Sequence, residues 1–393
     1  MDRNTEIPRL TSASAPWLDD PSARAVCAAI AAGGHEVLYV GGCVRNALLG
    51  QPVSDVDIAT AATPDQVIAL VEAAKLKAVP TGLDHGTVTV VSGGTGFEVT
   101  TFRRDVATNG RHATVAFSTD LHDDARRRDF TMNALYADPD GVVVDPLGGL
   151  GDLRARRVRF IEDADRRIRE DYLRTLRYFR FHAWYGDDDE GLDPDALAAI
   201  GSNLSGLETL SAERTGAEVR KLLSAPDPSV AMAGMQQTGV LPVILPGADI
   251  KLLLLVIAAE AHLGLLPDAL GRLFALGATD AADRLRLSRA EARKLDRIAS
   301  VVESGMPLLE TAYRHGEDVA LQSYLFACAL SETLPDPTIP PRISAAAGQV
   351  FPVSAQDLMP AFTGPALGAE LARLEALWIA SDFTLTRKEL LDL

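Results

Sequence analysis

The 393-residue sequence has few cysteines, few histidines and no long hydrophobic run. Its three cysteines, Cys27, Cys43 and Cys328, are an odd number without metal-ligand or redox spacing, which excludes a disulfide framework and a cysteine zinc site. The seven histidines are scattered, so a histidine metal site is not expected either. The longest apolar runs, such as 252–259, have eight residues and fall short of the ~20 that a membrane-spanning helix requires. No membrane association is therefore expected.

The first twenty residues are polar and acidic and lack the apolar centre of a secretory signal. They are rich in Ser, Ala, Pro and Asp, which predicts a disordered arm over residues 1–20. Without a signal or a membrane span, the expected location is the cytoplasm.

Positive charge is also scarce, and it is unevenly distributed. The chain has 38 basic and 54 acidic residues, a formal net charge of −16, yet the segment 154–180 contains ten arginines, no lysine and five acidic residues. The planar guanidinium fork suits phosphates and base edges, so this segment is a candidate nucleic-acid or nucleotide surface. A solvated helix with internal salt bridges is the alternative.

Hydrophobic patterning predicts an α+β protein: a small-sheet head followed by an all-α neck, body and tail. The predicted domains are a head over 21–160, a helical neck over 161–245 and a helical body and tail over 246–393. Helices are expected at 21–32, 43–49 and 64–74, and strands at 37–40, 55–59, 87–91, 97–102 and 142–144.

A pair of glycines, Gly41-Gly42, follows the first predicted strand and precedes a short helix. Adjacent glycines let backbone N–H groups approach a phosphate, and a helix N-terminus favours an anion. Arg45, one turn into that helix, could reach the same phosphate. A tight turn without a ligand is the alternative.

Two carboxylates follow at Asp55 and Asp57. On a strand, residues i and i+2 share one face, so both side chains are expected to point the same way. Adjacent like charges favour a divalent cation between them, and Glu98 on the next predicted strand could complete the site. The alternative is a solvent-facing turn. Together with the Gly-Gly turn, these carboxylates fit metal-dependent nucleotidyl transfer, and no Walker-type lysine motif is present.

Four motifs resemble the class II (bacterial-type) CCA-adding tRNA nucleotidyltransferases and their relatives, the bacterial poly(A) polymerases. They occur in the family's order, and the match runs from about residue 37 to residue 245. The motifs are Gly41-Gly-Cys-Val-Arg45, Asp55-x-Asp57, Arg126-Arg-Arg-Asp-Phe-Thr-Met-Asn-Ala134 and Glu170-Asp-Tyr-Leu-Arg-Thr-Leu-Arg-Tyr-Phe-Arg-Phe181. The family usually has Asp after the arginine of the first motif, whereas this chain has Asn46, which removes a charge beside the phosphate turn.

The resemblance implies a polymerase-β-like nucleotidyltransferase head that uses Mg²⁺, with CTP and ATP as substrates and the 3′ acceptor end of tRNA as partner. It implies metal binding and catalysis by Asp55 and Asp57, with Glu98 assisting. Nucleotide contacts are implied for residues of the first, third and fourth motifs: Gly41, Gly42, Arg45, Arg128, Asp171, Arg174, Arg177 and Arg180. Asp129 and Asn133 are expected as sugar or scaffold partners.

Asp171, Arg174, Arg177 and Arg180 recur every three residues, about one helical turn apart. Cytosine and adenine both show an amino donor beside a ring-nitrogen acceptor, so Asp171 as acceptor and Arg174 as donor would select them over uracil and guanine. Surface ion pairs are the alternative.

The stretch between Arg103 and Asp124 corresponds to the family's flexible loop, with an ordinary surface loop as the alternative. Poly(A) polymerases of the family typically carry a basic C-terminal extension, and this chain ends in Thr-Arg-Lys-Glu-Leu-Leu-Asp-Leu393. The expected activity is therefore addition of CCA to tRNA. Poly(A) synthesis, addition of CC or A alone, and a non-catalytic RNA-binding module remain alternatives, and the oligomeric state is left open.

Overall fold

The computed structural model describes residues 8–109 and 112–393. The chain divides into two compact units: the first takes the chain up to Ser211 together with Val230–Ile244, and the second takes Ala212–Ser229 with Leu245–Leu393. The first unit combines a sheet with helices, and the described residues of the second form helices joined by loops, without strands. The predicted α+β class is confirmed. The predicted domain boundaries at 160 and 245 stay predictions.

The sheet of the first unit has seven strands in the order β3-β4-β5-β2-β1-β8-β9. Only the β2–β5 pair is parallel; all other neighbours within this sheet run antiparallel. The strands are β1 Val37–Val40, β2 Asp57–Thr60, β3 Lys77–Gly82, β4 Thr87–Ser92, β5 Thr95–Thr101, β8 Tyr136–Ala137 and β9 Val143–Val144.

Two further strands, β6 Arg103–Asn109 and β7 His112–Phe117, form a separate antiparallel ribbon. The sequence predicted a polar loop here. A glycine between two segments that contain Val, Thr and Ala is a hairpin signal that the sequence offered here. Residues 110 and 111 lie outside the described residues.

Helix starts in the first unit follow their capping residues. Asp20 accepts a hydrogen bond from the Ser22 amide at the start of the helix that begins at Pro21, and Thr63 with Gln66 forms a capping box. The helices are α1 Pro21–Ala31, α2 Gly42–Leu49, α3 Pro64–Ala73, α4 Leu121–Arg126, α5 Gly149–Arg154, α6 Ala164–Glu170, α7 Leu173–Tyr185, α8 Pro194–Ser202, α10 Ser229–Gln237 and α11 Val240–Ile244; 3-10 turns occupy Pro16–Asp19, Leu83–His85, Thr131–Asn133 and Leu204–Thr209.

The described part of the predicted arm is packed and is not disordered. The Leu10 amide donates to the carbonyl of Gly141 at 2.7 Å, and the buried Trp17 ring meets Tyr39 edge-on with centroids 4.5 Å apart. Burial of a large aromatic ring outweighs the polar composition around it. The arm prediction for residues 1–7 lies outside the described residues.

The second unit is built from eleven helices: α9 Ala212–Leu223, α12 Ile250–Leu263, α13 Ala269–Ala275, α14 Ala281–Arg284, α15 Arg289–Ser304, α16 Leu308–His315, α17 Glu317–Leu330, α18 Ile339–Ala347, α19 Ala355–Leu358, α20 Pro365–Ala380 and α21 Arg387–Leu391. A charged side chain is among its most deeply buried: Arg272 on α13 is 1% exposed. Within residues 8–109 and 112–393, no helix has the length and apolar character needed to span a membrane.

Candidate functional site

The ends of several strands converge at one edge of the seven-stranded sheet. Val40, the last residue of β1, is paired with Asp57 at the start of β2, and also with Tyr136 at the start of β8. In the parallel neighbour, Ile58 is in register with Val99, which brings Glu98 alongside Asp57. The Gly-Gly turn and two of the predicted carboxylates therefore lie together at this edge, which we call the site edge.

The turn at the site edge requires glycine at its first position. Gly41 has φ +71° and ψ −118°, its amide donates to the carbonyl of Leu135 at 3.0 Å, and its carbonyl accepts from the Arg45 amide at 2.9 Å. A Cβ at Gly41 would lie 3.3 Å from Nη1 of Arg128. Backbone hydrogen bonds therefore fix the conformation of the turn, and Arg128 of the third motif lies against it.

The carboxylates crowd together beside this turn. The strand begins at Asp57, so Asp55 lies in the exposed segment before it, where its Oδ2 accepts a hydrogen bond from the Ser54 hydroxyl at 2.9 Å. Burial, and then Glu98, raise the pKa of Asp57; Arg128 opposes the shift and Asp55 adds to it. Like charges held this close fit a divalent cation with oxygen ligands.

The described residues contain no group of three or more His, Cys, Asp or Glu side chains that could hold a metal by themselves. A cation at Asp55 and Asp57 would therefore take further ligands from water and from substrate phosphates, as Mg²⁺ commonly does. The residues present fit such an ion.

Arg45 is 6% exposed and lies beside the turn. Its guanidinium stacks over the Tyr185 ring at 4.0 Å and donates to the Tyr185 hydroxyl at 2.9 Å, and Nη1 donates to Oδ1 of Asn133 at 2.7 Å. Burial lowers the pKa of Arg45. The side chain is therefore held by two other elements, α7 and the 3-10 turn over Thr131–Asn133.

Asn46 is one of the partners of Arg45. Its Oδ1 accepts from Arg45 Nε at 3.1 Å and from Nη2 at 2.9 Å, while its own amide donates to the carbonyl of Pro52 at 2.7 Å. An Asp in this position could accept the first two hydrogen bonds but could not donate the third.

Arg128 of the third motif forms hydrogen bonds with two buried side chains. Its Nη2 lies 2.9 Å from Oδ2 of Asp124, and its Nε donates to the hydroxyl of Tyr136 at 3.1 Å. Burial would raise the pKa of Asp124, but Arg128 and Arg127 outweigh it and hold this pKa at about 2. Asp124 is therefore a carboxylate at neutral pH.

A chain of polar contacts links the Gly-Gly turn to helix α7. Asn133 accepts from Arg45 and donates to Asp129 Oδ1 at 3.0 Å, and the other oxygen of Asp129 accepts from Arg177 Nε at 2.7 Å. Despite burial, Arg177 and Asn133 hold the pKa of Asp129 well below its usual range. Arg45, Arg177 and Arg180 all lie over the Phe181 ring, at 5.0, 5.3 and 4.7 Å from its centroid.

The fourth motif does not form one continuous helix. Asp171 has extended backbone, with φ −155°, between α6 and α7, and its Oδ1 accepts from the Leu173 amide at 3.1 Å. The prediction of a regular helical repeat is therefore wrong for Asp171, because it caps the helix that carries Arg174, Arg177 and Arg180. Arg174 donates to Glu170 Oε2 at 2.7 Å and to the carbonyl of Arg167 at 2.8 Å.

Sequence reasoning missed the acidic partners of these arginines. Asp124 precedes Arg128 by four residues, and Glu170 precedes Arg174 by four, a spacing that pairs opposite charges on a helix. Glu170 also contacts the buried Arg167, whose guanidinium donates to the carbonyls of Arg127 and Arg128. The i,i+4 spacing was the available signal.

Two family models match the chain: "Poly A polymerase head domain" over residues 37–159, and "Probable RNA and SrmB- binding site of polymerase A" over residues 191–252. Human "CCA tRNA nucleotidyltransferase 1, mitochondrial" is 44% identical over 48% of this chain and 44% of its own length. The CCA-adding enzyme of Geobacillus thermodenitrificans is 43% identical over 54% of this chain and 52% of its own length. The chain spans about half the length of the curated relatives it matches.

A solved structure of the Bacillus stearothermophilus CCA-adding enzyme in complex with CTP aligns with a TM-score of 0.74 and 28% identity, covering 92% of this chain and 93% of that one. The Thermotoga maritima CCA-adding enzyme complexed with tRNA has a TM-score of 0.68 at 18% identity over 99% of this chain and 98% of that one, which shows a shared fold.

The mixed sheet, with its glycine turn and paired carboxylates at one edge, is a nucleotidyltransferase head, and a mostly helical body follows it. Residues 37–159 and 191–252, the parts that the two models match, belong to the family of class II CCA-adding enzymes and bacterial poly(A) polymerases.

Proposed function

We propose that this protein adds C and A nucleotides, taken from CTP and ATP, to the 3′ end of tRNA, with release of pyrophosphate. The observation that carries the proposal is the polar chain from Arg45 through Asn133 and Asp129 to Arg177. It joins the turn suited to a triphosphate with the helix whose arginines are suited to a base, so one nucleotide could contact both. The names of the related enzymes support the same activity.

In this proposal Gly41, Gly42, Arg45 and Arg128 hold the triphosphate, through backbone N–H groups and guanidinium groups. Asp55 and Asp57 would hold Mg²⁺, with Glu98 adding negative charge beside them. The ion, when bound, would supply positive charge to the attacking and leaving oxygens. Enzymes of this family are in general dependent on a divalent metal.

The choice of base is assigned to Asp171 and Arg174, with Arg177 and Arg180 as further contacts on α7. Asp171 accepts hydrogen bonds and Arg174 donates them, which matches the amino and ring-nitrogen edge shared by cytosine and adenine. Glu170 accepts from Arg174 and limits its rotation. We place the activity in the cytoplasm, which cell fractionation would test.

Poly(A) synthesis is the second candidate, because the matching head-domain model carries that name. The deciding experiment uses purified protein with Mg²⁺ and labelled tRNAs that lack CCA or end in CC, with each nucleotide alone and together. Growth by three nucleotides that then stops supports CCA addition. A stop after two indicates a CC-adding enzyme, and addition only to the CC-ending tRNA indicates an A-adding one. Long A tails support poly(A) synthesis, and no incorporation supports a non-catalytic module.

Asp55→Ala should abolish turnover while leaving tRNA binding nearly unchanged, because it removes a metal ligand and no RNA contact. Asp84→Ala removes another exposed carboxylate, from a 3-10 turn of the same unit, and should leave turnover intact. Single-turnover extension and a filter-binding assay measure the two quantities. Turnover by the Asp55 variant at the wild-type rate would contradict the metal assignment.

Arg174→Ala should relax base choice, so that UTP is incorporated, since the donor that repels a uracil N–H edge is removed. Arg166→Ala is the matched control: Arg166 also donates to Glu170, at 3.2 Å, but its side chain is 69% exposed and belongs to α6. Incorporation of UTP relative to CTP is the measurement. Undiminished rejection of UTP by the Arg174 variant would remove the base-selection role.

A further inference from the structure

We infer that Asp124 and Tyr136 are positioning residues that hold Arg128 so that its Nη1 group faces the triphosphate of the bound nucleotide at Gly41. The inference rests on the proposed function, because it assumes that a triphosphate occupies the Gly-Gly turn. Neither residue belongs to the motif positions assigned above to nucleotide or metal. Both act on the nucleotide only through Arg128.

The two residues enclose Arg128 from two elements. Asp124 lies on α4 and is 0% exposed, and Tyr136 at the start of β8 is also 0% exposed. Oδ2 of Asp124 accepts from Arg128 Nη2 at 2.9 Å and from Nε at 3.3 Å. The guanidinium carbon lies 5.3 Å from the centroid of the Tyr136 ring, so the ring face supports the cation as well.

The Tyr136 hydroxyl joins the two charged groups. It donates to Oδ2 of Asp124 at 2.7 Å and accepts from Nε of Arg128 at 3.1 Å. Burial raises the pKa of Tyr136 far above neutrality, so the hydroxyl keeps the proton that it donates. This arrangement leaves one orientation for the guanidinium plane, since two of its three nitrogens are engaged on the same side.

The third nitrogen is the one that faces the turn. The hydrogen bonds of Arg128 to other described residues use Nε and Nη2, and Nη1 lies 3.3 Å from where a Cβ at Gly41 would be. An arginine that is already desolvated and oriented loses little side-chain entropy when an anion arrives. We call Asp124 and Tyr136 the clamp of Arg128. An arginine with the same charge but without this clamp would lose more side-chain entropy on binding, so the clamp should contribute to triphosphate affinity.

Tyr136→Phe is the informative substitution, because it keeps the ring and removes only the hydroxyl. Asp124→Asn is less suitable, since it leaves two arginines without their buried counter-charge and could unfold the head. Tyr178→Phe is the matched control. Tyr178 is also 0% exposed in the same unit, and its hydroxyl accepts a single hydrogen bond, at 2.8 Å, from the Asp193 amide.

The test compares equilibrium binding of CTP and of CMP to the full chain with MgCl₂, together with kcat and KM for CTP, ATP and tRNA. We expect Tyr136→Phe to weaken CTP binding, and to raise KM for both CTP and ATP, by about tenfold, the effect of losing one charge-assisted hydrogen bond. CMP binding and KM for tRNA should stay at the wild-type values. Tyr178→Phe should match the wild type in all of these.

Equal CTP binding by the Tyr136 and Tyr178 variants would overturn the inference. Parallel weakening of CTP, CMP and tRNA by Tyr136→Phe would also overturn it, because that pattern indicates a general structural defect. The binding arm needs no turnover, so it tests the clamp even if tRNA extension fails. If the wild type binds CTP and extends no RNA, the proposed function fails, and the CTP-to-CMP comparison still decides the clamp.

Discussion

At the scale of single residues, the Gly-Gly turn shows why a glycine can be needed for two separate reasons. The backbone of Gly41, at φ +71° and ψ −118°, has a conformation that residues with a side chain rarely adopt. The position that a Cβ would occupy is also close to Arg128. The sequence predicted the turn from the residue type alone. The second reason depends on an arginine 87 positions away and is visible only in the fold.

Gly41→Ala should lower kcat/KM for CTP by more than about tenfold, because backbone strain of ~1–3 kcal/mol and displacement of Arg128 act at the same place. Gly34→Ala separates these effects. Gly34 also has positive φ, +79°, but a Cβ there would meet nothing within 4 Å. Both variants should unfold at lower denaturant concentration, and only the Gly41 variant should lose activity. Equal activity of the two variants would contradict a role for this turn in nucleotide binding.

Asn46 is a residue whose meaning the sequence left open. The missing charge predicted a change beside the phosphate turn, and the structure shows which contacts Asn46 makes there. A neutral amide accepts two hydrogen bonds from Arg45 and ties the segment to the carbonyl of Pro52. Because Asn46 does not neutralise Arg45, the full charge of Arg45 remains available beside the turn.

At the scale of elements, the position of a helix boundary decides what the fourth motif can do. The three-residue spacing from Asp171 to Arg180 predicted one helix, whereas α6 ends at Glu170 and α7 begins at Leu173. A carboxylate oxygen of Asp171 accepts a hydrogen bond from the backbone at the start of α7. Such a side-chain bond can replace a helical backbone bond and so interrupt a helix, which the spacing of residues does not reveal. The arginines of α7 were correctly predicted to share a helix.

In the second unit, a buried charge joins three elements. Arg272 on α13 contacts Glu260 on α12 at 2.7 Å, and its other donors reach the carbonyls of Leu223, Ala225 and Pro226 at and beyond the end of α9. These carbonyls would otherwise be left without partners at a helix end. The arginine therefore acts as the cap of α9.

Arg272→Ala should reduce the free energy of unfolding by about 3–5 kcal/mol, because it leaves Glu260 buried without its partner. Arg314→Ala in the same unit removes a half-exposed arginine that contacts Glu310 and Glu375, and should cost under about 1 kcal/mol. Urea unfolding followed by circular dichroism measures both. A loss below 1 kcal/mol for the Arg272 variant would show that the site repacks without the charge.

At the scale of the whole molecule, the net negative charge of the protein opposes binding of tRNA, the proposed partner. The net charge is −16, and residues 181–393 have 16 basic against 29 acidic side chains, a net of −13. Non-specific RNA binding depends on neutralised phosphates, so few such contacts are expected from this protein. Specific contacts near the 3′ end would then have to supply most of the affinity.

The affinity for tRNA should therefore depend weakly on salt. A plot of log affinity against log KCl concentration should have a slope shallower than about −4, since each neutralised phosphate contributes about 0.7 to 0.9. Fluorescence anisotropy with labelled tRNA between 50 and 300 mM KCl, at fixed Mg²⁺ and roughly neutral pH, would measure the slope. A slope near −8 would show that arginines overcome the acidic field and would contradict this expectation.

The sequence by itself determined the class of fold, the helix starts at Pro21 and Pro64, the first strand and the identity of the motifs, because each depends on local patterns of a few residues. The tertiary structure decided how the motifs meet. Sheet order brings Gly41, Asp57 and Glu98 to one edge although 57 positions separate the first from the last. Buried Asp124 and Tyr136, together with the partly buried Glu170, orient arginines of the motifs, and Trp17 anchors a segment that composition predicted to be disordered. Burial and long-range pairing produce most of these effects, and a short stretch of chain shows only the four-residue spacings of Asp124 with Arg128 and of Glu170 with Arg174.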